Sequence, residues 1–229
     1  MINLLSLPHI SQLLVVISPD WNAIEGKLYC FQRNASAQTW ELVLPPIPIV
    51  LGKKGMAWGR GVQDFTTHEG PHKVEGDGKS PAGLFYLGTL FGDAAHRSSA
   101  LRMPYMLITE GLEWVDDPHS LYYNQCATLD ACDKCDWKSS EKMDEEKLYA
   151  LGGVIEHNTS PIIPGKGSAI FLHIWRHNHT GTAGCTAMQE GDLSRVTTWL
   201  DCAAHPSLLQ LPLNEYESKK LAWGLPQLP

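Results

Sequence analysis

The apolar residues of this chain fall into runs of strand length, punctuated by twenty glycines and fifteen prolines, and this favours strands and loops over long helices. "QLLVVIS", "GKLYCFQR" and "TWELVL" are apolar or alternating segments bounded by turn residues, the pattern of a meander. "LPPIPIVLG" continues as an extended segment because its prolines exclude an internal helix. "GGVIEHN" and "SAIFLHIW" are two further apolar runs of the same length. "EGDLSRVTTWLDCAAH" breaks the pattern. Leu193, Val196, Trp199 and Leu200 recur at three- and four-residue spacing, which predicts an amphipathic helix starting near Asp192. A second short helix is expected in "SSEKMDEEKLYAL", capped by Ser139 or Ser140. The segment 126–148 is polar and cysteine-bearing and reads as a surface excursion, and 206–229 reads as an irregular tail. No repeat or low-complexity linker divides the 229 residues, so one domain over 1–229 is expected, mainly β with one or two helices.

Apolar residues make up 43% and charged residues 19%, which suits a globular chain. A formal charge of −7 and the lack of any Lys/Arg-rich run give no pull towards nucleic acid. No segment reaches the roughly eighteen consecutive apolar residues of a membrane span. The opening "MINLLSLPHISQLLVVIS" lacks a basic start and a clear small-residue cleavage site, and it carries Pro8, His9 and Gln12. "SQLLVVIS" is therefore read as the first strand rather than as part of a signal peptide. "GKKGMAWGRGV" and "HKVEGDGKSPAGLFYLGTLFG" are Gly-rich, but neither has the spacing of a phosphate-cradling loop.

Chemistry concentrates in "HIWRHNHTGTAGCTAM", residues 173–188. Cys185 is flanked by Thr182, Ala183, Gly184 and Thr186, small residues that leave its sulfur little local cover. A turn with glycine beside the cysteine also leaves backbone N–H groups able to converge on an oxyanion. Alternation puts Ile170, Leu172 and Ile174 on one strand face and Phe171, His173 and Trp175 on the other, so His173 is placed as an oriented base. A core cysteine with a structural histidine fits the spacing equally well. A third reading gathers His173, His177 and His179 around zinc. Against it, no HExxH is present, Arg176 interrupts the cluster and no carboxylate supports it within the segment.

Six cysteines are present: Cys30, Cys126, Cys132, Cys135, Cys185 and Cys202. Cys132 and Cys135 form half of a four-cysteine zinc site whose other half is missing. Under oxidising conditions they are the expected local disulfide, with a structural or incidental role.

The blocks "PIVLGKKGMAWG", "HKVEGDGKSPAGLFYLGTLFG", "WVDDPHSLYYN", "GGVIEHN", "GKGSAIFLHI" and "GTAGCTAM" occur in an order that resembles the L,D-transpeptidase catalytic domain (YkuD-type), in its branch with a short histidine-to-cysteine loop. The resemblance implies an α+β fold of β-sandwich or mixed-sheet type. It further implies Cys185 as nucleophile, His173 as base, and the Gly184 and Cys185 N–H groups as oxyanion hole. Peptidoglycan stem peptides are then the partner, the cell envelope the location, and no cofactor or metal is needed. Two departures stand out. Thr182-Ala183-Gly184 replaces the commoner Ser/Thr-His-Gly, leaving Ala183 to supply the carbonyl that orients the imidazole. Thr186, Ala187 and Met188 stand where an arginine is usual, so Thr182 and Arg176 become the substrate-contact candidates. L,D-carboxypeptidation and a silent peptidoglycan-binding module are the alternatives.

Overall fold

The structure, a computed structural model, describes residues 3–34, 39–128 and 135–229. The first half contributes β1 (Gln12–Ser18), β2 (Glu25–Arg33), β3 (Trp40–Leu42), β4 (Ile47–Val50), β5 (Met56–Trp58) and β6 (Ser80–Gly92). Next come β7 (Tyr105–Leu107), β8 (Leu112–Val115), β9 (Cys126–Thr128), β10 (Ser140–Lys142) and β11 (Leu151–Ile155). The last part holds β12 (Phe171–Ile174), β13 (Thr186–Met188), α1 (Glu190–Trp199), β14 (Ser207–Pro212) and α2 (Leu213–Trp223). The chain is mainly β with two α-helices among the described residues, as the sequence and the resemblance both imply.

Strand pairing closes on itself. The order β1-β14-β6-β11-β12-β13-β4-β2 returns from β2 to β1, while β3 extends β2, and β5 and β7 add to β6. Most pairs are antiparallel, but β1–β14, β12–β13, β5–β6 and β6–β7 are parallel. β1 sits between β2 and β14, and all seven of its residues are buried. That explains its continuous apolar run, since a strand covered on both faces has no position for a polar side chain to reach water.

The expected irregular tail is not observed. "SLLQLP" is β14, a strand in the interior of the sheet, with all six residues buried. Its register partner is β1, nearly the whole chain away, so no local pattern announces it. "LNEYESKKLAW" is α2, closed by Gly224 in the left-handed conformation at φ 61°, the usual glycine stop after a helix. Tyr216 and Trp223 of α2 bury against the main core with Leu208, Leu209 and Leu211. Each such leucine stabilises the fold by roughly 1.5–3 kcal/mol.

The excursion also differs from expectation. Its start and end pair as β9 and β10 with β8, making a separate three-stranded sheet. The expected helix after Ser139 is instead β10 followed by a single 3-10 turn at Lys147–Tyr149. Side-chain bonding explains the change. The Ser140 hydroxyl donates to Glu113 at 2.6 Å rather than capping a helix, and Trp137 Nε1 and Lys142 Nζ donate to the same buried carboxylate. Burial alone would raise the Glu113 carboxyl, but these three donors outweigh it and hold it low. Cys132 lies outside the described residues, and with it the Cys132–Cys135 pairing.

Candidate active site

His173 belongs to β12 and Cys185 immediately precedes β13. The parallel register pairs Leu172 with Thr186 and His173 with Ala187, so alternation puts Phe171, His173, Cys185 and Ala187 on one face. Ile170 and Leu172 point the other way, into the main core. Phe171 and Cys185 join a second cluster with Phe91, Trp114, Met143 and Tyr149. The small neighbours of Cys185 therefore do not leave its sulfur uncovered. Aromatic side chains from other elements supply the bulk, and the residue is 6% exposed.

The thiol donates to the Ala169 carbonyl at 3.4 Å and accepts from the Phe171 N–H at 3.3 Å. Burial pushes it up to about 12, Glu141 adds to that, and the Phe171 N–H and the Lys73 charge oppose it. Burial lowers His173 to about 4, against the Ile174 carbonyl and the charge of Glu146. Both groups are thus neutral at rest. His173 Nδ1 lies 2.7 Å from the Ile174 carbonyl. A carbonyl only accepts, so Nδ1 carries the proton and Nε2 keeps its lone pair. The orienting carbonyl is therefore that of Ile174 and not that of Ala183. Tyr149 closes the other side, its ring edge-on to His173 at 5.4 Å and 87°, while its hydroxyl donates to Glu141 at 3.3 Å.

The turn before the cysteine is held by hydroxyls. Thr182 Oγ1 donates to the Cys185 carbonyl at 2.7 Å and accepts from Gly184 N–H at 3.1 Å. Ser80 Oγ donates to the same carbonyl at 3.0 Å and accepts from Gly52 N–H at 2.9 Å. Thr182 thus acts on the turn, and the Gly184 N–H is engaged within it instead of facing a substrate. Ser80 was not singled out in the sequence; it lies within "EGDGKSPAGLF" and carries no local signal beyond that block. On the far side of the cysteine, Thr186 donates to Gln210, whose amide donates to the Pro81 carbonyl at 2.9 Å. Thr186, Ala187 and Met188 are all fully buried, so none of them reaches a substrate.

His173 and Cys185 open onto one cavity of about 370 Å³. Its charged lining comprises Lys73, Glu75, Asp116, Glu141, Glu146 and Arg176. Glu141, Glu146 and Leu148 belong to the excursion, which therefore walls the site. Burial raises the Glu141 carboxyl, with Asp116, Glu146 and Glu75 adding and Tyr149 opposing. Arg176 stands at the rim, paired with Glu146 at 3.0 Å. Behind the lining residue Ala169 stands buried Asn124, whose amide donates to the His157 and Asn158 carbonyls at 3.0 Å each. Its Oδ1 accepts from Trp114 Nε1 and Ala169 N–H at 3.1 Å each.

The three histidines of the metal reading do not converge. His173 is buried, whereas His177 and His179 are exposed and His179 Nδ1 pairs with Glu25 at 2.7 Å. Among the described residues no group of three or more His, Cys, Asp or Glu side chains is arranged to hold a metal.

Comparison with curated proteins and with solved structures returned no match. A family model does match, that of the YkuD-type L,D-transpeptidase catalytic domain, over residues 21–206. The match spans β2 to the turn before β14 and takes in His173, Cys185 and the Ser80 block, so the chain belongs to the L,D-transpeptidase catalytic domain family.

Proposed function

We propose that this protein is a cysteine acyltransferase acting on peptidoglycan stem peptides, an L,D-transpeptidase. The observation that carries the reading is the placement of a thiol and a neutral imidazole on one strand face, at the wall of one cavity. Cys185 attacks the carbonyl of the diamino-acid residue in a tetrapeptide stem. His173 Nε2 takes the thiol proton and returns it to the leaving D-alanine amine. The thioacyl enzyme then reacts with an acceptor amine, giving a 3–3 cross-link, or with water, giving the tripeptide.

Cross-linking needs an acceptor held near the acyl carbon, because positioning gives the amine its advantage over water. The excursion residues Glu141, Glu146 and Leu148 support that outcome by walling the same cavity that Cys185 lines. Such a substrate places the protein's work at the cell envelope; no helix among the described residues is long and apolar enough to cross a membrane.

Incubation with disaccharide-tetrapeptide at high concentration, followed by mass spectrometry, tests the reading. Cross-linked dimer is expected, together with a covalent adduct on Cys185. Tripeptide and free D-alanine alone would make the enzyme an L,D-carboxypeptidase. No adduct and no conversion would leave a binding module.

A further inference from the structure

Among the described residues lining the cavity, Lys73 is the only buried charged side chain, at 4% exposed. Its backbone N–H is fixed to the Trp58 carbonyl at 2.9 Å, and its stem runs against Gly167, where a Cβ would lie 3.1 Å from its Cγ and Cε. Nζ donates to Asp77 Oδ1 at 2.6 Å and to the Val74 carbonyl at 3.1 Å. Asp77 in turn accepts from the N–H groups of Val74 and Lys79, so the "EGDGK" loop is built around the carboxylate that holds the ammonium.

An ammonium has three N–H donors, and the third meets no protein acceptor among the described residues. A buried donor without a partner is costly unless a ligand completes it. Its position says which ligand atom. A Cβ built on Gly184 would lie 3.8 Å from Lys73 Nζ and 3.1 Å from the Lys79 carbonyl, so the ammonium stands directly beside the turn that delivers Cys185.

The reaction makes the need acute. Attack creates a negative oxygen in a cavity that also holds Glu75, Asp116, Glu141 and Glu146. The Gly184 N–H, a natural oxyanion donor, is engaged by Thr182. Besides the Cys185 N–H, a preorganised buried cation beside the turn is the donor left to meet that charge. Lys73 faces Asp77 on its own loop and His157, which is buried and neutral, behind it.

We propose that Lys73 is a catalytic residue whose free N–H receives the acyl oxygen as it becomes an oxyanion. This rests on the acyl-transfer reading above. The Sγ–C bond forms as the carbonyl π pair moves onto oxygen, and the thiol proton passes to His173 Nε2. On collapse the pair returns, the C–N bond breaks and His173 protonates the departing amine. Lys73 keeps its protons throughout.

The test compares two reactions of Cys185 in the full chain, each followed by intact-mass spectrometry. Acylation by a carbapenem passes through a tetrahedral oxyanion; alkylation by iodoacetamide does not. In Lys73→Met the acylation rate should fall by about 10²–10³-fold, the loss typical of one oxyanion donor, while alkylation slows by less than about tenfold. The variant Lys73→Met/Asp77→Asn, which leaves no buried carboxylate unpaired, should show the same split and guards against misfolding. With tetrapeptide, kcat should fall while KM holds.

Equal losses in acylation and alkylation would reduce Lys73 to a structural or thiol-tuning role and overturn the proposal. A raised KM at unchanged kcat would make it an anchor for a substrate carboxylate and also overturn it. If Cys185→Ala is inert but Lys73→Met acylates normally, only the Lys73 assignment fails. A wild-type Cys185 that resists the carbapenem would overturn the acyl-transfer reading as well.

Discussion

Cys185 and His173 lie one register step to either side of the Leu172–Thr186 pair on neighbouring parallel strands, and no hydrogen bond joins them among the described residues. The thiol instead donates to the Ala169 carbonyl. In the acyl-transfer mechanism proposed above, the S–H turns from Ala169 towards His173 Nε2 when substrate enters.

Cys185→Ala should abolish turnover while costing about 1 kcal/mol of stability, since one sulfur atom leaves a small gap. His173→Ala should approach the same loss, and the double variant should be no worse than the cysteine variant, because the two groups act as a unit. Denaturant unfolding and single-turnover assays check both. Substantial activity in Cys185→Ala would end the cysteine mechanism.

The acid limb of activity should lie near pH 4, well below the ordinary imidazole range. His173 must be neutral to accept a proton, and burial lowers its pKa to about 4, so it keeps its lone pair through pH 5–7. The pH profile of Cys185 acylation reports this directly. An acid limb at about 6.5 would mean that His173 is solvated in the working enzyme.

Acid should also destabilise the fold through His157. This ring accepts from Arg60 N–H and donates to the Lys166 carbonyl, and burial lowers it to about 3. The unfolded chain then binds the extra proton more readily, so the stability held above pH 6.5 is lost as pH falls towards 3. Between pH 7 and 4.5 the loss should be roughly 2.5 kcal/mol, at about 1.4 kcal/mol per pH unit below 6.5. His157→Gln should remove this share and leave the similar share of His173, reducing the slope by about half in urea titrations at each pH. An unchanged slope would locate the acid sensitivity elsewhere.

Ala169 holds the thiol from a left-handed conformation at φ 52°, which costs a non-glycine residue about 1–2 kcal/mol. Ala169→Gly should relieve that strain, and the freer unfolded chain should offset part of the gain. Stability is expected to change by less than about 1 kcal/mol, while Cys185 acylation slows several-fold as the thiol's anchor loosens. A melting curve together with an acylation rate separates the two effects. Faster acylation would show that the Ala169 bond restrains the nucleophile instead of aligning it.

The shared strand face of the candidate site was legible in the sequence. The alternation of "SAIFLHI" placed His173 opposite the core-facing Ile170 and Leu172, and the ordered blocks pointed to Cys185. Local expectations failed where distant groups set the outcome. Cys185 has small sequence neighbours, yet Phe171, Trp114 and Tyr149 enclose it. Thr182 looked free to meet a substrate, but the Cys185 carbonyl and Gly184 N–H engage its hydroxyl. Lys73 and Ser80 carry no spacing relationship to the cysteine at all.

The sequence by itself determined the strand-rich architecture, the helix α1, and the pairing of a histidine with a cysteine across a short loop, because periodicity and turn chemistry are local properties of the chain. Tertiary structure decided the rest. β14 is a strand because β1, β6 and α2 bury it, and Ser140–Lys142 form a strand and not the start of an α-helix because Glu113 draws Ser140 and Lys142 into a sheet. The neutral state of Cys185 and His173 has the same origin. Burial lowers one pKa and raises the other, and burial depends on which distant segments close over a residue.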